Sequence, residues 1–240
     1  MTDARSDELA AHLDRVRARV EAACVAAGRE PSTVTLIVVS KTWPADDVRR
    51  LAGLGVRDFG ENRDQEAAPK AAATSDLDLR WHFVGQLQTN KAASVARYAD
   101  LVHSVDRGSL VAALERGATR AARRLGCLIE VDLTDGATGR GGASPADVSG
   151  LARLIADSDH LDLRGVMGVA PLAGEAEDQR AVSARAFERL SEISRRLREE
   201  YPDADLVSAG MSEDLEEAVR AGATHLRVGS AVLGSRPPLG

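Results

Sequence analysis

Cysteine is scarce in this sequence of 240 residues, because Cys24 and Cys127 are the only two. Cys24 falls on the apolar side of the first predicted helix, and Cys127 opens a predicted buried strand. Two isolated thiols cannot build the disulfide framework that holds small secreted domains together. We therefore expect two buried thiols and a reducing, cytoplasmic compartment.

Long apolar runs are also missing. The first residues, MTDARSDELAAHLDRV, lack the apolar core of a secretion signal, and no stretch is long enough for a membrane-spanning helix. The formal net charge of −6 argues against a general surface for nucleic acids. A local anion site is still compatible with this charge, because one phosphate needs only a few backbone N–H groups.

Lysine is the third rarity, since only Lys41, Lys70 and Lys91 occur among 31 basic residues. Arginine keeps its charge at any ordinary pH, so chemistry that needs a neutral amine requires a lysine. Each lysine is therefore a candidate for such chemistry. For Lys41, the competing interpretation from position alone is a surface side chain that reaches water from the end of a strand.

Strand and helix patterns alternate along the chain after an amphipathic first helix. Leu9, Leu13, Val16 and Val20 recur at three- and four-residue intervals and predict that helix, which ends near Gly28. Short apolar runs then predict eight buried parallel strands. The strands are expected at 34–40, 56–60, 80–85, 101–105, 127–133, 161–169, 205–210 and 224–230, and the helices between them near 44, 61, 89, 107, 144, 178, 212 and 230.

Strict alternation of strands and helices gives either a closed barrel or an open, doubly wound sheet. Eight strand–helix units, an additional N-terminal helix and a length close to the typical value of about 250 residues favour a single (β/α)8 TIM barrel. We expect one domain over residues 1–240 with its core at about 34–234. The open sheet is the alternative.

Functional residues of such barrels gather where the strands end. Lys41 follows the first strand, so its amine is expected at the mouth of the barrel, where partial desolvation favours the neutral form. SAGMS (208–212), with Ser212 expected at a helix N-cap, and RVGS (227–230) follow the last two strands. Phosphate sites recur in these two loops of barrels, so we expect one here.

Other candidates are weaker. TDGATGRGG (134–142) lacks the pattern of a P-loop or a dinucleotide site, and we interpret it as a loop over the mouth. The five histidines show no metal-ligand spacing, so no metal site is expected. Asp132 could face the pocket, although a lone carboxylate at a strand end is usually solvated.

Five segments together resemble the pyridoxal phosphate homeostasis protein family, which is similar to the N-terminal barrel of alanine racemase. They are VVSKTWPADDVRRL, FGENRDQEA, WHFVGQLQTNK, GVMGVAP and SAGMSEDLEEAVRAGATHLRVGSAVLG. The resemblance runs from about Val34 to Gly234 and is weakest at 132–142. It implies that pyridoxal 5′-phosphate (PLP) binds covalently, as an imine with Lys41.

The resemblance also implies roles for other residues at the mouth. Asn62 lies beside the cofactor, and Arg227 faces the pyridine nitrogen. A guanidinium can only donate, so it favours the unprotonated pyridine and weakens the electron sink that PLP enzymes use. The phosphate cradle that the resemblance implies consists of Ser208, Gly210, Met211, Ser212, Gly229 and Ser230.

Racemisation needs a second acid–base group on the opposite face of the substrate. In the racemase this is a tyrosine from a second domain, whereas here Tyr98 lies in a predicted helix and Tyr201 at the far end of the barrel. About ten residues follow the last strand, so we expect no second domain.

These expectations describe a monomeric PLP carrier or buffer without efficient catalysis, which supplies apo-enzymes that need PLP. Two alternatives are a weak PLP-dependent amino-acid racemase that uses Lys41 with a water or a partner chain, and a Schiff-base aldolase or sugar-phosphate isomerase. The last of these predicts no bound chromophore.

Overall fold

Parallel strands form a closed barrel in which each strand pairs with the next along the chain and the last pairs with the first. The computed structural model describes residues 3–134, 141–174 and 177–234. This architecture confirms the predicted TIM barrel and excludes the open sheet. The strands are β1 Thr35–Val39, β2 Asp58–Glu61, β3 Arg80–Phe83, β4 Leu101–Val105, β5 Leu125–Val131, β6 Leu161–Gly168, β7 Leu206–Ser208 and β8 His225–Val228.

Helices surround the barrel and follow the strands, except for the first helix, which precedes them. Helix α1 contacts α2, α8 and α9, so the extra N-terminal helix covers the side of the barrel where β8 meets β1. The helices are α1 Ala4–Ala26, α2 Ala45–Gly53, α3 Asp64–Ala73, α4 Ala92–Val95, α5 Gly108–Ala121, α6 Val148–Ala156, α7 Gln179–Glu200, α8 Leu215–Arg220 and α9 Ser230–Leu233.

The apolar core lies between the helices and the outer face of the strands. Phe59, Phe83 and Phe187 are among its largest fully buried side chains. Cys24 and Cys127 are both buried and unbonded to each other, as expected, and burial raises the pKa of the Cys127 thiol. No helix in the described ranges is long and apolar enough to cross a membrane.

Several elements begin later than the sequence patterns predict. The helix expected at Glu61 begins at Asp64, because β2 continues through Glu61, whose carbonyl accepts a hydrogen bond from the Val84 N–H at 2.9 Å. The helix expected at 144 begins at Val148, after a turn in which the Ser144 hydroxyl binds Asp147 at 2.7 Å. The helix expected at 89 is a 3-10 turn followed by the short α4.

The predicted N-cap at Ser212 is wrong. Helix α8 begins at Leu215, and Asp214 precedes it. The Asp214 carboxylate accepts a hydrogen bond from the Met211 N–H at 2.7 Å, which builds a turn over 211–214 before the helix. Ser212 therefore lies within this turn, with its hydroxyl free of a capping role.

Gly165 allows β6 to approach β7 closely. Its φ of +140° is rare for residues with a side chain, and a Cβ here would lie 1.9 Å from the Leu206 carbonyl oxygen. We expect Gly165→Ala to lower the free energy of unfolding by roughly 2–4 kcal/mol, measured by urea unfolding followed by circular dichroism.

Gly150→Ala in α6 is the matched control, because a Cβ there meets no atom within 4 Å. This change is expected to raise the free energy of unfolding by roughly 0.5–1 kcal/mol. Unchanged stability of Gly165→Ala would contradict the close contact between β6 and β7.

Candidate functional site

Lys41 leaves β1 in a turn that is held on both sides. The Ser40 carbonyl accepts a hydrogen bond from the Trp43 N–H at 3.0 Å, and the Thr42 N–H donates to Glu66 at 2.7 Å. Thr42 has a φ of +69°, which is unusual for a β-branched residue and costs free energy. The partly buried Lys41 is thus presented by a strained and well-anchored backbone.

A buried ion pair lies beneath this turn. The Lys70 amine donates to Glu61 Oε1 at 2.6 Å and to the Ser40 carbonyl at 2.7 Å, and the Ser40 hydroxyl donates to the same carboxylate oxygen at 2.7 Å. Burial raises the pKa of Glu61, although Lys70 opposes the shift. Lys70 therefore supports the residue before Lys41, which leaves Lys41 as the better candidate for amine chemistry.

Asn62 follows β2 at the same end of the barrel. Its Oδ1 is buried and has no hydrogen-bond partner among the described residues. A buried acceptor without a donor is costly, so such an atom is a natural contact for a ligand that can donate a hydrogen bond. The sequence-based prediction had placed Asn62 at this end of the barrel.

The loops after β7 and β8 meet at one edge of the mouth. The hydroxyl oxygens of Ser212 and Ser230 lie 3.3 Å apart. Gly210 has a φ of +85°, and a Cβ there would lie 2.5 Å from the Ala218 Cβ. Gly229 lies close to the end of β1, because its Cβ position is 3.1 Å from the Val39 carbonyl oxygen.

Met211 differs from its neighbours in this edge. Its N–H is already bound by Asp214, and its side chain is 41% exposed. Because this N–H already donates to Asp214, the accessible group of Met211 at the edge is its thioether side chain.

Arg227 is a buried cation whose hydrogen-bond partners are neutral. Its Nη1 donates to Ser208 Oγ at 2.6 Å, and its Nη2 donates to the Gly168 carbonyl at 3.0 Å. Burial lowers the pKa of Arg227 to about 10, opposed by Glu130 and Asp214. The guanidinium therefore stays charged at neutral pH, and such a charge favours an electron-rich ligand nearby.

The Ser208 hydroxyl, which the resemblance places in the phosphate cradle, has hydrogen-bond partners inside the barrel. Its side chain is fully buried, and its hydroxyl binds both Arg227 and His103 Nδ1, the latter at 2.9 Å. Strand β7, which carries Ser208, is not adjacent to β4, which carries His103, so the contact passes through the barrel interior. The hydroxyl is thus bound by Arg227 and His103 in the barrel interior.

Glu130 on β5 is a titratable residue that the sequence analysis missed. Burial and the carboxylates of Asp106 and Asp132 raise its pKa to about 7, although Arg227 lowers it. An acid inside the otherwise apolar strand LGCLIEV was the available signal. Asp132 itself accepts hydrogen bonds from the N–H and hydroxyl of Thr134 at 2.9 and 2.6 Å, so its carboxylate is engaged locally.

The two tyrosines lie outside the mouth. Tyr98 follows α4 and packs against the core outside the strands, with its hydroxyl 3.5 Å from Asp64. Tyr201 ends α7, the helix that leads back to the start of β7.

No cluster suited to a metal ion occurs in residues 3–134, 141–174 and 177–234. The glycine-rich loop predicted over the mouth lies largely outside these ranges, because residues 135–140 are not described.

The whole barrel matches known proteins. Residues 11–237 match the family described as alanine racemase, N-terminal domain. A pyridoxal phosphate homeostasis protein of Pseudomonas aeruginosa is 39% identical over 228 residues, which cover 95% of this chain and 96% of that protein. The chain belongs to the pyridoxal phosphate homeostasis protein family. The family resemblance of the sequence motifs is therefore confirmed.

Other members of the family, and more distant barrels, match over most of this chain. The Escherichia coli pyridoxal phosphate homeostasis protein is 34% identical and covers 96% of this chain and 97% of its own length. The structure of PipY from Synechococcus elongatus with PLP bound is 34% identical, with a TM-score of 0.81 over 94% of this chain and all of that one. Alanine racemase of Clostridium difficile shares the fold at 13% identity, with a TM-score of 0.75 over 96% of this chain and 57% of its own.

The raised pKa of Glu130 makes the stability of the protein depend on pH. Folding favours the protonated carboxyl, so its contribution is complete below the ordinary pKa of 4.5 and is lost as the pH rises through about 7. Glu130→Gln lacks this loss. We expect the variant to gain stability relative to the wild type between pH 5 and 8, by roughly 1–3 kcal/mol at the upper end, in urea unfolding.

Glu188→Gln, on the exposed face of α7, controls for the loss of one negative charge. A stability difference between Glu130→Gln and the wild type that stays constant from pH 5 to 8 would contradict the raised pKa.

Proposed function

We propose that the chain binds PLP at the mouth of the barrel and carries it in the cytoplasm, as a buffer that limits the free aldehyde. The observation that carries this proposal is the buried Arg227 cation, held by neutral partners, in the strand next to the one that presents Lys41. The names of its relatives and the PLP-bound PipY structure support the same ligand.

The residues at the mouth fit the chemical groups of PLP. Lys41 supplies the amine for an imine with the aldehyde, and Asn62 offers an unsatisfied buried acceptor beside it. Arg227 has three N–H groups beyond the two that bind Ser208 and Gly168, so it can donate to the ring nitrogen.

The phosphate is assigned to the edge formed by the loops after β7 and β8. The Ser212 and Ser230 hydroxyls converge there, next to Met211, and Gly210 and Gly229 let these loops pack closely against α8 and β1. Ser208 acts indirectly in this proposal, because it holds Arg227.

The same residues favour carriage over catalysis. PLP supplies an electron sink when its ring nitrogen is protonated, and Arg227 can only donate a hydrogen bond to that nitrogen. Tyr98 and Tyr201 lie outside the mouth, so neither provides the opposed acid–base group that racemisation needs.

A weak amino-acid racemase is the second candidate, and Glu130 is the observation in its favour. This carboxyl has a pKa of about 7 and lies within electrostatic reach of Arg227, so it could exchange a proton near neutral pH.

For the carrier we expect a monomer that hands PLP to apo-enzymes by exchange or hydrolysis of the imine.

The test of binding follows the imine itself. Wild-type protein mixed with PLP is expected to show a visible imine band that borohydride abolishes, with the label recovered on the peptide that contains Lys41. Lys41→Ala should lose both the band and the label, because no other amine emerges from β1 at the mouth.

Lys91→Ala is the matched control, since Lys91 is partly exposed and lies 3.9 Å from Asp64 in the helical layer. It should retain the band. No band in the wild type would reject PLP carriage and favour the aldolase or isomerase alternative. A band that persists in Lys41→Ala would reject Lys41 as the amine that binds PLP.

Carriage and racemisation differ in proton exchange at the substrate α-carbon. With the PLP-loaded protein, α-deuterated alanine is expected to lose deuterium no faster than with the same concentration of free PLP, measured by NMR. A faster loss that Glu130→Gln abolishes would instead establish the weak racemase.

A further inference from the structure

A chain of polar side chains crosses the interior of the barrel. Such interiors are ordinarily filled with layers of branched apolar residues. Here five buried polar residues, contributed by β2, β3, β4, β7 and β8, form one continuous series of hydrogen bonds. They are Asp58, His82, His103, Ser208 and Arg227.

The series is continuous from one end of the barrel to the other. Asp58 Oδ1 lies 3.0 Å from His82 Nε2, and His82 Nδ1 lies 3.0 Å from His103 Nε2. His103 Nδ1 lies 2.9 Å from Ser208 Oγ, which accepts from Arg227 at 2.6 Å. Asp58 is the first residue of β2, whereas Gly168, whose carbonyl also accepts from Arg227, is the last residue of β6. The hydrogen-bonded series therefore spans the length of the strands.

The groups at the two ends determine the direction of every hydrogen bond. Arg227 can only donate. Burial alone would raise the pKa of Asp58, but hydrogen bonds from His82 and Arg80 outweigh it and lower the pKa to about 2, so this carboxylate only accepts.

With both ends assigned, the protons between them follow. The Ser208 hydroxyl accepts from Arg227 and must donate to His103 Nδ1. His103 then donates through Nε2 to His82, which donates through its own Nε2 to Asp58. Both imidazoles are therefore neutral, with the proton on Nε2.

The opposite arrangement of protons is less favourable. If His82 carried two protons, His103 would bear its proton on Nδ1, and the Ser208 hydroxyl would lose its acceptor within the described residues. That arrangement would also add a second buried cation to the barrel that already holds Arg227. Burial lowers the pKa of His103 well below its ordinary value, and the charge of Arg227 acts in the same direction, in agreement with a neutral ring.

We propose that Asp58, His82 and His103 are positioning residues for Arg227, which transmit the charge at the far end of the barrel to the ring of bound PLP. The hydrogen-bonded series holds Nη1 of Arg227 on Ser208 and thereby determines which guanidinium N–H groups face the mouth. Aligned hydrogen bonds polarise one another, so a change at Asp58 alters the strength of donation by Arg227. This inference rests on the proposed function.

The Asp58 end of this hydrogen-bonded series is open to solvent. Asp58, His82 and Arg80 line a cavity of about 390 Å³ at the amino ends of the strands, and the Arg80 side chain is 64% exposed. Asp58 can therefore be changed without altering any residue at the mouth of the barrel.

The first experiment uses the protein without PLP. Long-range proton–nitrogen NMR of the histidine rings at neutral pH should show His82 and His103 as neutral Nε2–H tautomers. Asp58→Asn, which offers an amide in place of an obligate acceptor, should weaken this preference in both rings. His225→Gln is the matched control, because His225 lines the same cavity with its ring centre 6.2 Å from that of His82 but binds Thr224 instead of the chain.

The second experiment loads the same proteins with PLP that carries ¹⁵N in its ring. Asp58→Asn and Ser208→Ala should shift the ring nitrogen signal and raise the dissociation constant of PLP about tenfold, equivalent to about 1.4 kcal/mol. His225→Gln should match the wild type in both. Thermal unfolding tests whether each variant is folded, and Ser208→Ala supplies a smaller change should Asp58→Asn fail to fold.

The outcomes separate the inference from the function on which it rests. A wild type that takes up no PLP rejects the proposed function, and the inference with it, whatever the histidine tautomers are. A wild type that binds PLP while folded Asp58→Asn and Ser208→Ala keep the same ring signal and affinity overturns the inference alone. Shifted signals in both variants, with the control unchanged, establish it.

Discussion

The polar interior of the barrel is arranged around one buried positive charge, that of Arg227. Arg227 lies within the barrel and is held by a hydroxyl and a carbonyl, neither of which cancels its charge. Burying a cation in this way is expensive unless its donors are satisfied and some counter-charge is near. The counter-charge comes from the carboxylates of Glu130 and Asp214, while the hydrogen bonds of Ser208, His103 and His82 connect Arg227 to Asp58 at the other end of the barrel.

Two further groups of residues lie at the same end of the barrel as Arg227. Beneath the turn that presents Lys41, a buried ion pair of Glu61 and Lys70 anchors the carbonyl of Ser40. At the neighbouring edge of the mouth, the loops after β7 and β8 bring Ser212 and Ser230 together. Residues far apart in sequence thus meet because parallel strands all end on the same side, which is the geometric reason that barrels concentrate function there.

Much of this was predictable from the order of residues, since apolar runs and glycines mark the strands and the helix ends. That pattern predicts eight strands, favours their closure over an open sheet, and places Lys41, Asn62 and Arg227 at strand ends. What was missed depends on side-chain partners. No sequence pattern reveals that His103, 105 residues away, binds the Ser208 hydroxyl. Ser212 looked like a helix cap because the competing carboxylate of Asp214 is only two residues further on.

The scarcity of lysine limits the number of accessible primary amines. Of the three lysines, Lys70 is enclosed by Glu61 and Ser40. A protein that handles a reactive aldehyde risks being modified by it at every accessible primary amine. Arginine gives the surface its positive charge without offering such an amine. With Lys70 enclosed, the described residues present few primary amines, other than that of Lys41, to which an aldehyde could become attached.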